Sequence, residues 1–135
     1  RGPVILSWYH ALTGGRYPHD GHNVVLHEFA HQIDALSGEM GGSPPLPTRI
    51  QHERWEEVMA REYARIVNDV RHGRRTVLDE YAAASRAEFF AVATEHFFEQ
   101  PQRVRKYHPE LYEVLQMLYH VNPVEWPSCK RLAAG

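Results

Sequence analysis

Two histidines and a glutamate, His27, Glu28 and His31, are the residues of this chain best placed to do chemistry. They form an H-E-x-x-H sequence, and residues four apart lie on one face of a helix. Two imidazoles at that spacing can bind one metal ion, and zinc hydrolases add a third ligand and an open position for water. Because a bound metal lowers the pKa of that water to about 7, the adjacent Glu28 can take its proton. The spacing therefore predicts a zinc site with Glu28 as the general base.

Spacing alone leaves the third ligand open. An H-x-x-G-x-x-H extension would need glycine and histidine where the chain has Asp34 and Ser37, so that class of site is excluded. A glutamate on a later helix is the other common solution. Glu88 stands at the start of a strongly apolar segment, where it could bind the metal or form a capping box with Ser85. Three further glutamates belong to a charged stretch typical of a solvated helix face: Glu53, Glu56 and Glu57.

Two other carboxylates lie at helical spacing from the candidate ligands. Asp34 follows His31 by three residues and His27 by seven, in the last turn of the predicted helix, where a negative charge needs a compensating cation or donor. We predict that Asp34 orients a ligand imidazole by accepting its second N–H, with a plain surface carboxylate as the alternative. Glu95 follows Glu88 by two helical turns and could also approach the site. The remaining histidines considered are interpreted as surface or core residues: His10, His19, His22, His52, His72, His108 and His120.

Composition limits the classes of protein that the chain can represent. It has 135 residues, 43% of them hydrophobic and 24% charged, which predicts one globular domain over residues 1–135. A net charge of −2 gives no broad electrostatic case for binding nucleic acid or an anionic membrane. The single cysteine, Cys129, excludes an internal disulfide and a cysteine-rich zinc site. With no long apolar run and no signal-peptide pattern, we expect a cytoplasmic protein, and one that is part of a longer chain because it starts at Arg1.

The H-E-x-x-H motif lies in a predicted helix over residues 23–37, which Gly38 would end. We expect most sides of that helix to be buried, because apolar residues are spread around it: Val24, Val25, Phe29, Ile33 and Leu36. Before it, the β-branched and aromatic residues from Val4 to Trp8 predict a short strand, and the preceding Pro3 favours an edge position. After it, glycines and prolines predict a rigid loop.

Four signals open the later helices: capping boxes at Thr48 and Ser85, and prolines at Pro101 and Pro109. The first of these helices extends to about residue 70 and has an apolar inner side: Ile50, Trp55, Val58, Met59, Ile66 and Val70. Together these elements predict a mostly helical α+β domain with a small N-terminal β element.

Three segments resemble the Mlc titration factor A family of bacterial metallopeptidases: G-P-V-I-L-S-W at residues 2–8, D-G-H-N-V-V-L-H-E-F-A-H-Q-I-D at 20–34, and A-E-F-F-A-V at 87–92. Tyr81, followed seven residues later by E-F-F-A, also resembles the catalytic domain of anthrax lethal factor. The resemblance implies one zinc ion per chain bound by His27, His31 and Glu88. It implies Glu28 as the general base and Tyr81 as a hydroxyl donor to the reaction intermediate.

The resemblance further implies a zincin-like catalytic domain that hydrolyses peptide bonds, with aminopeptidase-like activity on small substrates. It implies the glucose-regulon repressor Mlc as a protein partner, and a segment N-terminal to this chain in the family's proteins. The predicted strand at 4–8 would be the edge to which an extended peptide adds through main-chain hydrogen bonds, unless it is an interior strand. The alternative is a regulatory protein that sequesters a transcriptional repressor and in which zinc is structural or vestigial. A fourth protein ligand would support a structural zinc.

Overall fold

The computed structural model describes residues 23–38 and 41–127. These residues form five α-helices and two 3-10 helices: α1 Val24–Ala35, α2 Arg49–Arg71, a 3-10 helix at Glu80–Ala83, α3 Arg86–Glu99, α4 Pro101–Tyr107, α5 Pro109–Tyr119 and a 3-10 helix at Pro123–Glu125. The mostly helical architecture is confirmed for these ranges, in which no strand occurs. Not one of these helices has the length and apolar character needed to cross a membrane. The strand predicted at 4–8, with its proposed edge, lies outside the described residues.

The helices begin at the residues whose side chains predict a cap. Asn23 caps α1, because its side-chain oxygen accepts a hydrogen bond from the backbone N–H of Leu26 at 3.1 Å. Thr48 and Gln51 form the predicted capping box at the start of α2, with bonds of 3.1 and 3.3 Å between side chains and backbone N–H groups. Ser85 caps α3 through its side-chain oxygen alone, which accepts a hydrogen bond from the backbone N–H of Glu88 at 3.1 Å. Local sequence therefore fixes where the two helices that bear the candidate ligands begin.

Glycine and proline set the remaining boundaries. α1 ends at Ala35, and Gly38 follows with a φ of 94°, a left-handed conformation that favours glycine. Pro101 and Pro109 are the first residues of α4 and α5, where a missing backbone N–H leaves no helical hydrogen bond unmade. The sequence predictions for these boundaries are confirmed.

α3 is the central helix of the described structure. Every residue from 89 to 99 is buried, and α1, α4, α5 and the first 3-10 helix pack around it. From α2, Trp55 contacts Phe90 and Tyr63 contacts Phe89, with ring centroids 5.4 and 5.9 Å apart. Burying each of the two phenylalanines stabilises the fold by about 1.5–3 kcal/mol. The first turn of α3 is therefore held on a well-packed base.

Three apolar residues expected to face the core are exposed instead. Val24, Leu36 and Ile50 have exposed fractions of 77%, 74% and 78%. Each lies at a helix end, where the chain extends beyond the elements on which the middle of the helix packs. α1 correspondingly buries a single face, Leu26, Ala30 and Asp34, rather than most of its sides.

Gly42 contacts residues of three helices, α1, α2 and α3. Its N–H donates to Oδ2 of Asp34 at 2.8 Å, and its carbonyl accepts from Nε1 of Trp55 at 2.9 Å. Its φ is 80°, and a Cβ added there would lie 2.6 Å from the carbonyl oxygen of Arg86. The neighbouring Ser43 N–H donates to the other oxygen of Asp34 at 3.0 Å. The close approach of loop and α3 therefore requires glycine at position 42.

We expect Gly42→Ala to lower the free energy of unfolding by about 2 kcal/mol or more, because it combines a left-handed conformation with a clash against backbone. Urea unfolding followed by circular dichroism measures the change. Gly41→Ala is the matched control, since a Cβ there meets nothing within 4 Å and its φ is not positive. Equal stability of the two variants would contradict this account of the loop.

Candidate metal centre

Helices α1 and α3 bring His27, His31 and Glu88 together. Oε1 of Glu88 lies 2.8 Å from Nε2 of His27 and 3.0 Å from Nε2 of His31. One potential ligand atom from each residue lies within 4.8 Å of those from the other two, and all three side chains are partly exposed. Among the described residues, this is the one group of three or more histidine, cysteine, aspartate or glutamate side chains that could hold a metal ion.

The donor set and its spacing fit a zinc ion. Imidazole nitrogen and carboxylate oxygen are both common zinc ligands. Two protein atoms on one tetrahedral zinc lie about 3.3 Å apart when the metal bonds are about 2.0–2.1 Å long. The observed separations of 2.8 and 3.0 Å are close to this value, so small side-chain movements would admit the ion.

Electrostatics keep Glu88 in the form that binds a cation. Burial opposes ionisation of its carboxyl, but the hydrogen bond from His27 and the charge of the nearby His31 outweigh burial, so the pKa of Glu88 is below its ordinary value. For His27, burial disfavours the charged ring. Hydrogen bonds to Glu95 and Glu88 outweigh that effect and raise the pKa of His27.

The cap and the ligand interpretations of Glu88 coexist in the structure. The backbone N–H of Glu88 donates to Oγ of Ser85 at 3.1 Å, which caps α3. The side chain of Glu88 does not complete the capping box but turns towards the two histidines. Its second oxygen, Oε2, accepts a hydrogen bond from the hydroxyl of Tyr81 at 3.2 Å.

Tyr81 reaches the group from the 3-10 helix that precedes α3. Asp79 caps that helix, with its Oδ1 accepting from the N–H of Tyr81 at 2.8 Å. The ring of Tyr81 is about half exposed, and its centroid lies 6.2 Å from that of His27. The charge of Glu88 raises the pKa of Tyr81, so the phenol is a neutral hydrogen-bond donor at pH 7.

Glu28 lies next to His27 on α1 but is exposed to solvent and is not a member of the three-residue group. A carboxylate in that position is accessible to water beside the group. The fold is therefore compatible with the predicted roles, in which Glu28 is a general base and not a metal ligand.

The prediction that Asp34 orients a ligand imidazole is wrong. Asp34 is fully buried, and its two carboxylate oxygens accept from the N–H groups of Gly42 and Ser43. These loop donors supply the compensation that a carboxylate in the last turn of a helix needs. Asp34 thus anchors the loop to α1.

Glu95 contacts the candidate ligand His27 instead. Its Oε2 lies 2.5 Å from Nδ1 of His27, and its Oε1 accepts from the backbone N–H of Asn23 at 2.7 Å. One turn further along α3, Oε1 of Glu99 accepts from Nδ2 of Asn23 at 2.8 Å. We call the polar contacts between α1 and α3 the polar seam, formed by Asn23, His27, His31, Glu88, Glu95 and Glu99.

Sequence reasoning missed Asn23 and Glu99 in this seam. A usable signal was present, because α3 is apolar along most of its length and its glutamates at 88, 95 and 99 share one helical face. Helical spacing predicts that these glutamates share a face, but it does not predict which helix packs against that face.

The other candidates lie away from the group or serve structural contacts. Glu53 and Glu57 form ion pairs with arginines of α2, and Glu56 contacts Ser43 and Arg86. His108 bonds to the buried Glu62, with Nδ1 and Oε1 2.6 Å apart. Three histidines are exposed, as expected of surface residues: His52, His72 and His120. Three further histidines lie outside the described residues, as does Cys129: His10, His19 and His22.

Residues 1–120 match the sequence profile of the glucose-regulated metallo-peptidase M90 family. The chain belongs to this family. An uncharacterized protein of Synechocystis sp. is 41% identical over 91% of this chain and 45% of its own length. Mlc titration factor A of Pectobacterium atrosepticum is 32% identical over 92% of this chain, and that of Edwardsiella ictaluri is 31% identical over 93%. The resemblance to the Mlc titration factor A family is thereby confirmed.

This M90 chain spans about half the length of the curated relatives it matches, since it aligns with 45–48% of them. Membership of a metallopeptidase family agrees with a His27–His31–Glu88 group that could bind a metal ion.

We expect zinc to stabilise this M90 chain and His31→Ala to lose that stabilisation, because losing one of three ligands opens the chelate. At free zinc a hundredfold above its Kd, the wild type should gain about 2.7 kcal/mol, measured as a rise in Tm. His52→Ala, which changes an exposed histidine on α2, should keep the full rise. An undiminished rise in His31→Ala would contradict its role as a ligand.

Proposed function

We propose that this domain is a zinc-dependent peptidase that hydrolyses peptide bonds with one zinc ion per chain. The observation that supports it most is the convergence of two imidazoles and one carboxylate from α1 and α3. The exposed Glu28 follows His27 directly in the sequence. Within the described ranges three side chains converge and a fourth ligand does not, which favours an open catalytic site over a closed structural one.

The chain's own residues divide the chemistry between them. His27, His31 and Glu88 would hold the zinc ion. That ion, when bound, lowers the pKa of water to about 7 and polarises a carbonyl oxygen. Glu28 accepts the proton that the attacking water gives up, and later delivers it to the amine that leaves when the peptide C–N bond breaks. The proton is thus returned, and Glu28 ends the cycle as a carboxylate.

Tyr81 is proposed to stabilise the negative charge that develops on the substrate's carbonyl oxygen. Its hydroxyl already points at the group, where it donates to Oε2 of Glu88 at 3.2 Å. A neutral phenol can turn this hydrogen bond towards an oxyanion without acting as a ligand. The half-exposed ring leaves room for that movement.

We propose small peptides as substrates, cleaved in an aminopeptidase-like manner, as the family resemblance implies. Amino-acid p-nitroanilides and internally quenched peptides separate removal of an N-terminal residue from internal cleavage. Hydrolysis of the p-nitroanilides alone is the expected result, and cleavage of the quenched peptides alone would overturn the aminopeptidase assignment.

We expect Glu28→Gln to keep zinc affinity within a few-fold of the wild type but to lower kcat by at least about 100-fold, because an amide cannot accept the proton. Zinc-loaded protein is assayed with the same p-nitroanilides. Glu53→Gln, at an exposed glutamate of α2, is the control and should turn over normally. Near-normal turnover by Glu28→Gln would remove it from the mechanism.

A second proposal concerns a protein partner. Relatives named Mlc titration factor A align with 92–93% of this chain. That name supports binding of an Mlc-type transcriptional repressor by the protein to which this domain belongs. A repressor acts on chromosomal DNA, so this role would place the protein in the cytoplasm.

Glu28→Gln also separates the two proposed functions. Calorimetric titration of this variant with a purified Mlc-type repressor measures binding in the absence of hydrolysis. Wild-type affinity in Glu28→Gln would make binding independent of catalysis. The absence of binding by both the variant and the wild type would overturn the repressor proposal for this domain and leave the peptidase proposal intact.

We expect Tyr81→Phe to keep its fold and zinc, to leave KM within a few-fold, and to lower kcat by at least about tenfold. The reason is that a hydrogen bond formed only in the transition state affects turnover rather than binding, and one such donor typically contributes about 10²–10³ to kcat. Steady-state kinetics measure both constants. Tyr107→Phe, at an exposed tyrosine of α4, is the matched control. Equal kcat values in the two variants would leave Tyr81 as a packing residue.

A further inference from the structure

Glu95 is buried on α3 and uses both of its oxygens in contacts with α1. It is 7% exposed, its Oε2 lies 2.5 Å from Nδ1 of His27, and its Oε1 accepts from the backbone N–H of Asn23 at 2.7 Å. Both contacts span about seventy residues of sequence. A carboxylate held at both oxygens has little freedom to rotate, so its contact with the imidazole is fixed in direction.

We propose that Glu95 is a positioning residue that fixes the ring orientation and tautomer of His27 for metal binding. The inference rests on the proposed function, since it assigns His27 as a zinc ligand. A carboxylate accepts hydrogen bonds, so the Nδ1 that faces it carries the proton. When His27 is neutral, its lone pair is then on Nε2, the atom that lies 2.8 Å from Oε1 of Glu88 and would give up its proton to bind a metal ion.

The second ligand histidine shows that this arrangement is specific to His27. Nδ1 of His31 is buried and has no hydrogen-bond partner among the described residues. In the described part of the chain, Glu95 is thus the carboxylate that contacts the Nδ1 of a candidate ligand ring and constrains its orientation. Its loss would leave both imidazoles of the group without such a constraint.

Asn23 and Glu99 hold the register in which Glu95 meets His27. The side chain of Asn23 caps α1 through its oxygen and donates to Glu99 through its nitrogen, while its backbone N–H donates to Glu95. The first turn of α1 is therefore fixed against the last turns of α3. This contact determines where His27, one turn further along α1, lies relative to Glu95.

Two substitutions at one position separate the hydrogen bond from the charge. Glu95→Gln keeps an oxygen that can accept from Nδ1, whereas Glu95→Ala removes the acceptor. Glu62→Ala is the matched control, because Glu62 is also a buried glutamate bonded to Nδ1 of a histidine, His108, outside the metal group. A merely structural role of Glu95 predicts similar behaviour in the two alanine variants.

Zinc affinity is measured by competition with a chromophoric chelator, on variants shown to be folded by circular dichroism. We expect Glu95→Ala to bind zinc about 10–100-fold more weakly than the wild type, Glu95→Gln within about tenfold, and Glu62→Ala with wild-type affinity. Wild-type affinity in Glu95→Ala, or an equal loss in Glu62→Ala, would overturn the proposal.

Nuclear magnetic resonance of the histidine ring nitrogens gives a readout that does not depend on activity. In the wild type the Nδ1–H of His27 should be detected as hydrogen-bonded, and this signal should shift or vanish in Glu95→Ala. An unchanged signal in Glu95→Ala would overturn the positioning role. Zinc binding by the wild type without peptide hydrolysis would overturn the peptidase proposal alone, because the tests of Glu95 use affinity and spectra.

Discussion

The hydrogen-bonding requirement of the carboxylates on α3 organises the rest of the structure. α3 is buried over residues 89–99, so the glutamates in this range need hydrogen-bond donors. A buried carboxylate without donors would destabilise the fold strongly. All the donors of the polar seam come from α1, and they meet the glutamates in reverse order: Asn23 with Glu99 and Glu95, His27 with Glu95 and Glu88, His31 with Glu88. The two helices are therefore locked antiparallel in one register, and the candidate metal group is assembled by that register.

Burial changes along the seam and divides it into two parts. Glu99 is 2% exposed, whereas the side chain of Glu88 is 23% exposed and accepts a hydrogen bond from the half-exposed Tyr81. Hydrogen bonds at the buried end are protected from competing water, so they can hold the helices in place. The partly exposed end is accessible to water. The same type of contact therefore holds the helices together at the buried end and leaves the candidate metal group accessible at the other end.

Much of the fold could be predicted from local sequence because local interactions decide it. Caps at Asn23, Thr48 and Ser85 and the two prolines place helix starts through contacts within a few residues. The pairing of His27 with His31 follows from helical periodicity alone. Glu88 could not be chosen from spacing alone, since capping by Ser85 was an alternative; the apolar segment that it opens and the family resemblance favoured it. The exposure of Val24 and Ile50 was missed because periodicity does not say where a supporting surface ends.

Asp34 was predicted to contact a candidate ligand imidazole, but in the structure Glu95 makes that contact. The difference shows that local sequence does not say where a buried carboxylate finds its donors. Both carboxylates lie on the helical face of the candidate ligands, and both are buried, so both need donors. Asp34 has donors eight and nine residues away, in the loop that follows its own helix. The partners of Glu95 among the described residues, His27 and Asn23, are 68 and 72 residues away at the start of α1. A buried carboxylate with nearby loop N–H groups is satisfied locally. One in the middle of a buried helix must be satisfied by another element, which makes it the better candidate for contact with a distant ligand histidine.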